Sequence, residues 1–240
     1  MSELQPGDLS LFSAWGNRER TAAQIAADLL DMLRALEQID PRLADWTTRT
    51  QRTLTLEAES LTRFVEGTHI PSPSGLGWQF SLASGGEDAL DSVVLIVADG
   101  STKDHPVNLG EVNVSAFGDW DGDSFFLAHA DQLVDIVRRS WSPDWVSLTC
   151  SAYDQVQPNG RRVPRVGVLT WLADRLGAVP DPLPDGARIS HPAGGTLIDL
   201  RPDPQTLPEV GAVAEVAGWL ERAGVLRDIP QWQQQADSVS

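Results

Sequence analysis

The sequence predicts an α+β fold, a single domain whose mainly antiparallel central sheet is flanked by an N-terminal and a C-terminal helix. Three observations predict it. Apolar residues recur at helical spacing near both ends of the chain. Between them lie short runs that alternate apolar with polar residues or are continuously β-branched. Short, turn-rich connections join those runs, and such connections suit antiparallel neighbours, because parallel pairs need long crossovers. Internal repeats and long linkers are missing from the 240 residues. Residues 1–228 are therefore expected to form one α+β domain, with residues 229–240 a loose C-terminal tail.

The first helix is expected from Thr21 to Gln38. Ala22, Ile25, Ala26, Leu29, Leu33 and Leu36 make its apolar stripe, and Thr21 with Gln24 has capping-box form. Pro41, directly after Asp40, stops it. A weaker helix covers Leu54–Val65, ahead of the loop Ile70–Gly75. Trp78, Phe80 and Leu82 alternate with Gln79 and Ser81, the mark of a strand with one buried face. Val93–Ala98 is continuously apolar and suits a central strand; Val112, Val114 and Ala116 alternate again. Ala130, Leu133, Val134 and Val137 mark a helix ending near Arg138 and Arg139, whose charges suit a helix C-terminus. Trp145–Cys150, Gly167–Leu172 and Thr196–Leu200 read as strands, the last after the proline-rich loop Val179–Pro184. The final helix, Pro208–Ala223, carries Val210, Val213, Ala217 and Leu220, with Gly224 placed for a left-handed cap.

Charge is the chain's most informative property. The formal net charge is −16, and nine acids against one base (Lys103) fall between Gly86 and Asp123. Such a surface attracts basic partners and repels nucleic acid. Of the nine tryptophans, spread from Trp15 to Trp232, most read as packing residues. The single cysteine, Cys150, permits no intrachain disulfide and sits on a predicted strand as a small buried thiol. The start of the chain, Met1–Asp8, lacks the features of a secretory signal, and no apolar run approaches the ~20 residues that span a bilayer. The expectation is a cytoplasmic protein without a membrane partner.

No complete catalytic signature occurs. Asp119, Asp121 and Asp123 sit at alternate positions, as hard-cation ligands do, but a calcium loop needs Gly after the third acid and Glu at position twelve. Ser124 and Ala130 stand there instead. His69, His105, His129 and His191 lack zinc-ligand spacing. No catalytic residue, metal or cofactor is therefore expected. Arg138, Arg139, Arg161, Arg162 and Arg165 form a modest basic subset whose expected work is to offset local acids or cap helix ends.

Several stretches, taken in order, resemble immunity protein family 52 of bacterial polymorphic toxin systems. They are Trp15-Gly16 and Arg18, the helix from Thr21, Ile39-Asp40-Pro41 and Trp46. Near the C-terminus come Gly194-Gly195-Thr196-Leu197-Ile198 and Ala223-Gly224-Val225-Leu226. Trp141, Trp145 and Trp171-Leu172 fit its middle. The resemblance implies a cytoplasmic α+β protein that binds and neutralises a cognate toxin, in this family often a nuclease, whose substrate surface must be basic. Trp15, Arg18, Asp40, Pro41, Trp46, Gly194 and Gly195 are expected to matter structurally. Toxin binding is expected at Glu87, Asp88, Asp91, Asp119, Trp120, Asp121 and Asp123, with carboxylates steering the partner and Trp120 anchoring it. Two other classes stay open: a metal-dependent hydrolase using Asp119, Asp121 and Asp123, and a tryptophan-based carbohydrate-binding module.

Overall fold

A row of apolar side chains runs across six strands and organises the molecule. Leu82, Leu95, Val114, Leu11, Leu148 and Leu169 are successive cross-strand partners, and none is more than 1% exposed. Directly opposed residues share a sheet face, so this row fixes both register and core side. The computed structural model that shows it describes residues 8–16, 18–50, 52–69, 77–84, 92–100, 110–117, 122–157 and 163–228.

The elements follow in chain order: β1 (Ser10–Trp15), α1 (Ala22–Ile39), β2 (Trp46–Thr48), α2 (Ala58–Glu66), β3 (Trp78–Ser84), β4 (Ser92–Asp99) and β5 (Gly110–Phe117). Next come α3 (Gly122–Trp141), β6 (Trp145–Thr149), α4 (Ser151–Asp154), β7 (Leu169–Ala173), β8 (Arg188–Ser190), β9 (Gly195–Asp199) and α5 (Val210–Arg222). The nine strands make one antiparallel sheet in the order β2-β3-β4-β5-β1-β6-β7-β9-β8. The fold is α+β, and the β3-β4-β5 meander expected from the short connections is present. The central strand, β1, has no counterpart in the sequence reading.

α3 packs across β1, β5, β6 and β7, and α1 lies against α3 and α2. Both faces of β6 and β7 are buried, whereas the face of β3, β4, β5 and β1 away from these helices is not. That open face carries small and polar residues such as Gln79, Ser81, Asn113 and Ser115, together with Ile96, the one large apolar side chain exposed among the described residues.

Two helix ends follow local rules. At α1, the Gln24 amide donates to Thr21 Oγ1 (3.3 Å) and the Thr21 amide to Gln24 Oε1 (2.8 Å), a complete capping box. Thr21→Ala is expected to cost about 1 kcal/mol in urea unfolding; an unchanged midpoint would show that tertiary packing alone holds this end. At α5, Gly224 has φ +73°, the Val225 amide donates to the Leu220 carbonyl, and the Gly224 amide to that of Glu221. These are the paired bonds of a Schellman cap.

Three expectations need correcting. α3 begins at Gly122 and not near Ala130, so Gly122 and Asp123 belong to a helical first turn and Phe126 adds to its buried stripe. α2 begins at Ala58, because the Leu54 amide donates to the Trp46 carbonyl and holds that segment beside β2. The strand before Cys150 ends at Thr149; the thiol is buried, as expected.

Candidate functional site

A concavity lies where β2 is too short to cover β3. Strand β2 pairs with β3 only at Leu82–Ser84. It ends because the chain folds back: the Thr48 amide donates to the Arg52 carbonyl (3.0 Å), and the Thr48 and Thr50 hydroxyls meet at 3.0 Å. Beyond that turn, among the described residues, the edge of β3 meets the chain again only at an isolated bridge between His69 and Trp78. Gln79–Ser81 thus border a notch of ≈ 790 Å³.

Its lining comes from distant segments: Thr48, Arg49, Thr50 and Arg52 from the turn, Arg63, Phe64, Gly67 and Thr68 from the end of α2, and Gln79, Phe80, Ser81 and Ile96 from the sheet. Phe64 and Phe80 meet edge to face with centroids 5.2 Å apart and form an apolar floor. Arg49, Arg52 and Arg63 are exposed, and among the described residues their side chains have no hydrogen-bond or ion-pair partner. Arg20, Arg42, Arg138, Arg139, Arg165, Arg175, Arg188 and Arg201 each pair with an aspartate. Among the described residues the lining holds no carboxylate, histidine or cysteine. Such a site can bind, but it offers no acid–base couple for catalysis.

Sequence reasoning missed these arginines; the basic subset it names is Arg138, Arg139, Arg161, Arg162 and Arg165, expected to offset local acids or cap helix ends. A signal was present: between Pro41 and Leu54 stand Arg42, Arg49 and Arg52 against the single acid Asp45. Of that subset, Arg138 and Arg139 both bridge Asp135 and Arg165 bridges Asp154, offsetting local acids as expected. Arg161 and Arg162 lie outside the described residues.

The N-terminal motif residues gather at one end of β1. Trp15 is fully buried, stacks on Trp141 at 5.7 Å, and donates its indole N–H to Asp99 (3.0 Å). Asp99 also accepts from Arg20 (3.0 Å) and from the Gly100 amide (2.8 Å). Gly16 donates its amide to Asp144 (2.8 Å), which is also bridged by Arg175. Arg18 lies 5.0 Å from the Trp15 ring centroid and donates to the carbonyls of Trp141 (2.8 Å) and Ser142 (2.5 Å). Burial lowers the Arg18 pKa to about 10, against the opposing pull of Asp99 and Asp144, so it remains a cation at neutral pH.

The second cluster turns the chain after α1. Asp40 accepts from the Arg42 amide (2.9 Å) at a short 3-10 turn opened by Pro41, and Trp46 buries its ring and donates to the Leu43 carbonyl (2.7 Å). The Arg42 guanidinium holds the Asp40 carboxyl below its usual range. Gly194 (φ +84°) and Gly195 form the entry to β9.

The expected toxin contacts are only partly visible. Glu87, Asp88, Asp91, Asp119, Trp120 and Asp121 lie outside the described residues. Asp123 is half-buried in the first turn of α3, where Oδ1 accepts the Leu9 amide (2.7 Å). Asp99, one of the nine acids in the acidic segment, is 2% exposed and paired with Arg20, so it adds little to the surface field. No group of three or more His, Cys, Asp or Glu suited to a metal occurs among the described residues. None of the described tryptophans is exposed; Trp120 and Trp232 lie outside the described residues. No helix among the described residues is long and apolar enough to cross a membrane.

Comparison with known proteins adds the remaining step. No curated protein matches the chain. Among solved structures, the Pseudomonas aeruginosa T6SS protein PA0821 is similar, with TM-score 0.47 and 11% identity, over 95% of this chain and 84% of that one. The family described as Immunity protein 52 matches residues 12–229. That span contains the Trp15-Gly16 knot, the Asp40–Trp46 corner and the Gly194-Gly195 turn, and the chain belongs to the immunity protein 52 family.

Proposed function

We propose that this chain neutralises a basic nuclease toxin by covering its substrate-binding surface. Its family is one of immunity proteins, whose role is to bind a cognate toxin. The observation that supports the finer reading is a net charge of −16 in a member of that family. A nuclease must present positive charge to hold phosphates, and an acidic protein can be drawn to and occupy that surface. The acidic segment from Gly86 to Asp123 would supply most of the steering, through Glu87, Asp88, Asp91, Asp119 and Asp121, with Trp120 as the apolar anchor. A specific complex of this kind typically buries ~1,600 Å².

Co-expression with the polypeptide encoded by the adjacent upstream gene tests the role. Rescue of growth and a stable 1:1 complex are expected; a neighbour that is harmless, or that kills regardless and does not co-purify, would refute it. For the interface, Asp119→Lys with Asp121→Lys is the better variant, because reversing Asp123 would also break its bond to the Leu9 amide. Slower association with a weaker salt dependence is expected. Unchanged kinetics would remove these residues from the interface and leave the immunity role standing.

A further inference from the structure

We propose that the notch beside β3 is a second docking site, one that takes an extended acidic segment of the toxin; the inference rests on the toxin-binding reading above. Three independent features converge on that occupant. The first is charge. In a chain of net −16, Arg49, Arg52 and Arg63 line one groove without a partner among the described residues, while eight other arginines are ion-paired. Glu59 and Glu66, on the same helix as Arg63, are not part of the lining. Guanidinium groups gathered this way repel one another and present forked donors matched to carboxylates.

The second feature is backbone. Among the described residues, no strand faces the edge of β3 between the β2 pairing at Leu82 and the bridge at Trp78. An incoming extended segment can bond there by strand addition. The gap admits about three or four residues at ~3.4 Å each, so the contact is short and specific. The third feature is apolar surface. Phe64 and buried Phe80 lie on one side of the β3 edge and exposed Ile96 on the other, so they offer apolar surface to alternate side chains of an added strand.

Nucleic acid fits these features worse. Its phosphates continue past three arginines into the field of a strongly acidic protein, and a nucleic acid has no backbone to pair with a strand edge. A polypeptide can confine its negative charge to the notch. With an acidic segment steering basic surface and a basic notch receiving acidic residues, the partner is also held in one orientation.

The test compares full-length wild type, Arg49→Glu/Arg52→Glu/Arg63→Glu, and a control with the same charge change elsewhere, Arg34→Glu/Arg139→Glu/Arg222→Glu. Each is titrated with the purified polypeptide from the adjacent upstream gene. The milder Arg49→Gln/Arg52→Gln/Arg63→Gln variant guards against misfolding, and circular dichroism checks all of them. The expected result is a Kd raised at least about tenfold by the notch variants, with the control much closer to wild type. Equal binding by notch variant and wild type, or equal losses in notch variant and control, would overturn the docking site and leave the toxin-binding reading intact. Failure of the wild type to bind would overturn that reading and the notch with it. If a 20-base single-stranded DNA binds the wild type and not the notch variant, the acidic polypeptide is the wrong occupant.

Discussion

Asp99→Ala is expected to destabilise the protein by about 3–5 kcal/mol, the range for removing one partner from a buried charged network. Asp99 is 2% exposed and accepts three bonds, from the Trp15 indole, Arg20 and the Gly100 amide. Alanine would strand two buried neutral donors, each costing about 1–3 kcal/mol when unsatisfied. Arg20 suffers less, because it keeps Asp28 at 2.6 Å and the Gln24 carbonyl at 3.1 Å. Asp99→Asn separates these contributions. It retains an acceptor for Trp15 and Gly100 but turns an amide donor towards Arg20, so a smaller loss is expected. Urea unfolding followed by tryptophan fluorescence reads both variants. A cost for Asp99→Ala below about 1 kcal/mol would mean that water replaces the lost acceptor, and the network would then contribute little to stability.

The way this network is built also explains what the sequence could and could not disclose. Two of its donors come from β1 and the chain just after it, and its acceptor from the end of β4, 84 residues from Trp15. Trp15 and Arg18 were legible as family residues, but their partner was legible only as one acid among many. β1 itself was invisible for a local reason. On its core side stand Leu11, Ser13 and Trp15, and the buried Ser13 breaks the apolar alternation that marks a strand. Its burial comes from pairing on both edges, a tertiary effect that no window of six residues carries. By contrast, α1 and α5 were legible because the apolar stripe agrees with one clear cap in each, the capping box of α1 and the Gly224 cap of α5. The notch fails the legibility test most completely. Its arginines come from two segments and its floor from one of these and β3, and only the shortness of β2 brings them together.

Gly195→Ala is expected to be more damaging than Gly194→Ala, although the two residues are adjacent in one motif. Gly194 has φ +84°, and a methyl group there would meet nothing within 4 Å. Its substitution therefore carries only the left-handed backbone penalty, about 1–2 kcal/mol. Gly195 lies in a strand and pairs with Ala173 of β7. A Cβ there would fall 2.3 Å from the Leu172 carbonyl oxygen and 2.7 Å from the Trp171 ring. Neither neighbour is a flexible tip: the carbonyl belongs to the sheet backbone, and Trp171 is 4% exposed. Relief requires β7 and β9 to separate, and since protein interiors transmit such strain, a cost above about 4 kcal/mol is expected. The measurement is the pair of urea midpoints, with soluble yield as a second readout for Gly195→Ala. Equal losses would mean that the sheet yields at this edge and that backbone conformation is the motif's only requirement. The expected inequality assigns its two glycines different tasks, one to turn the chain and the other to leave room for the Trp171 strand.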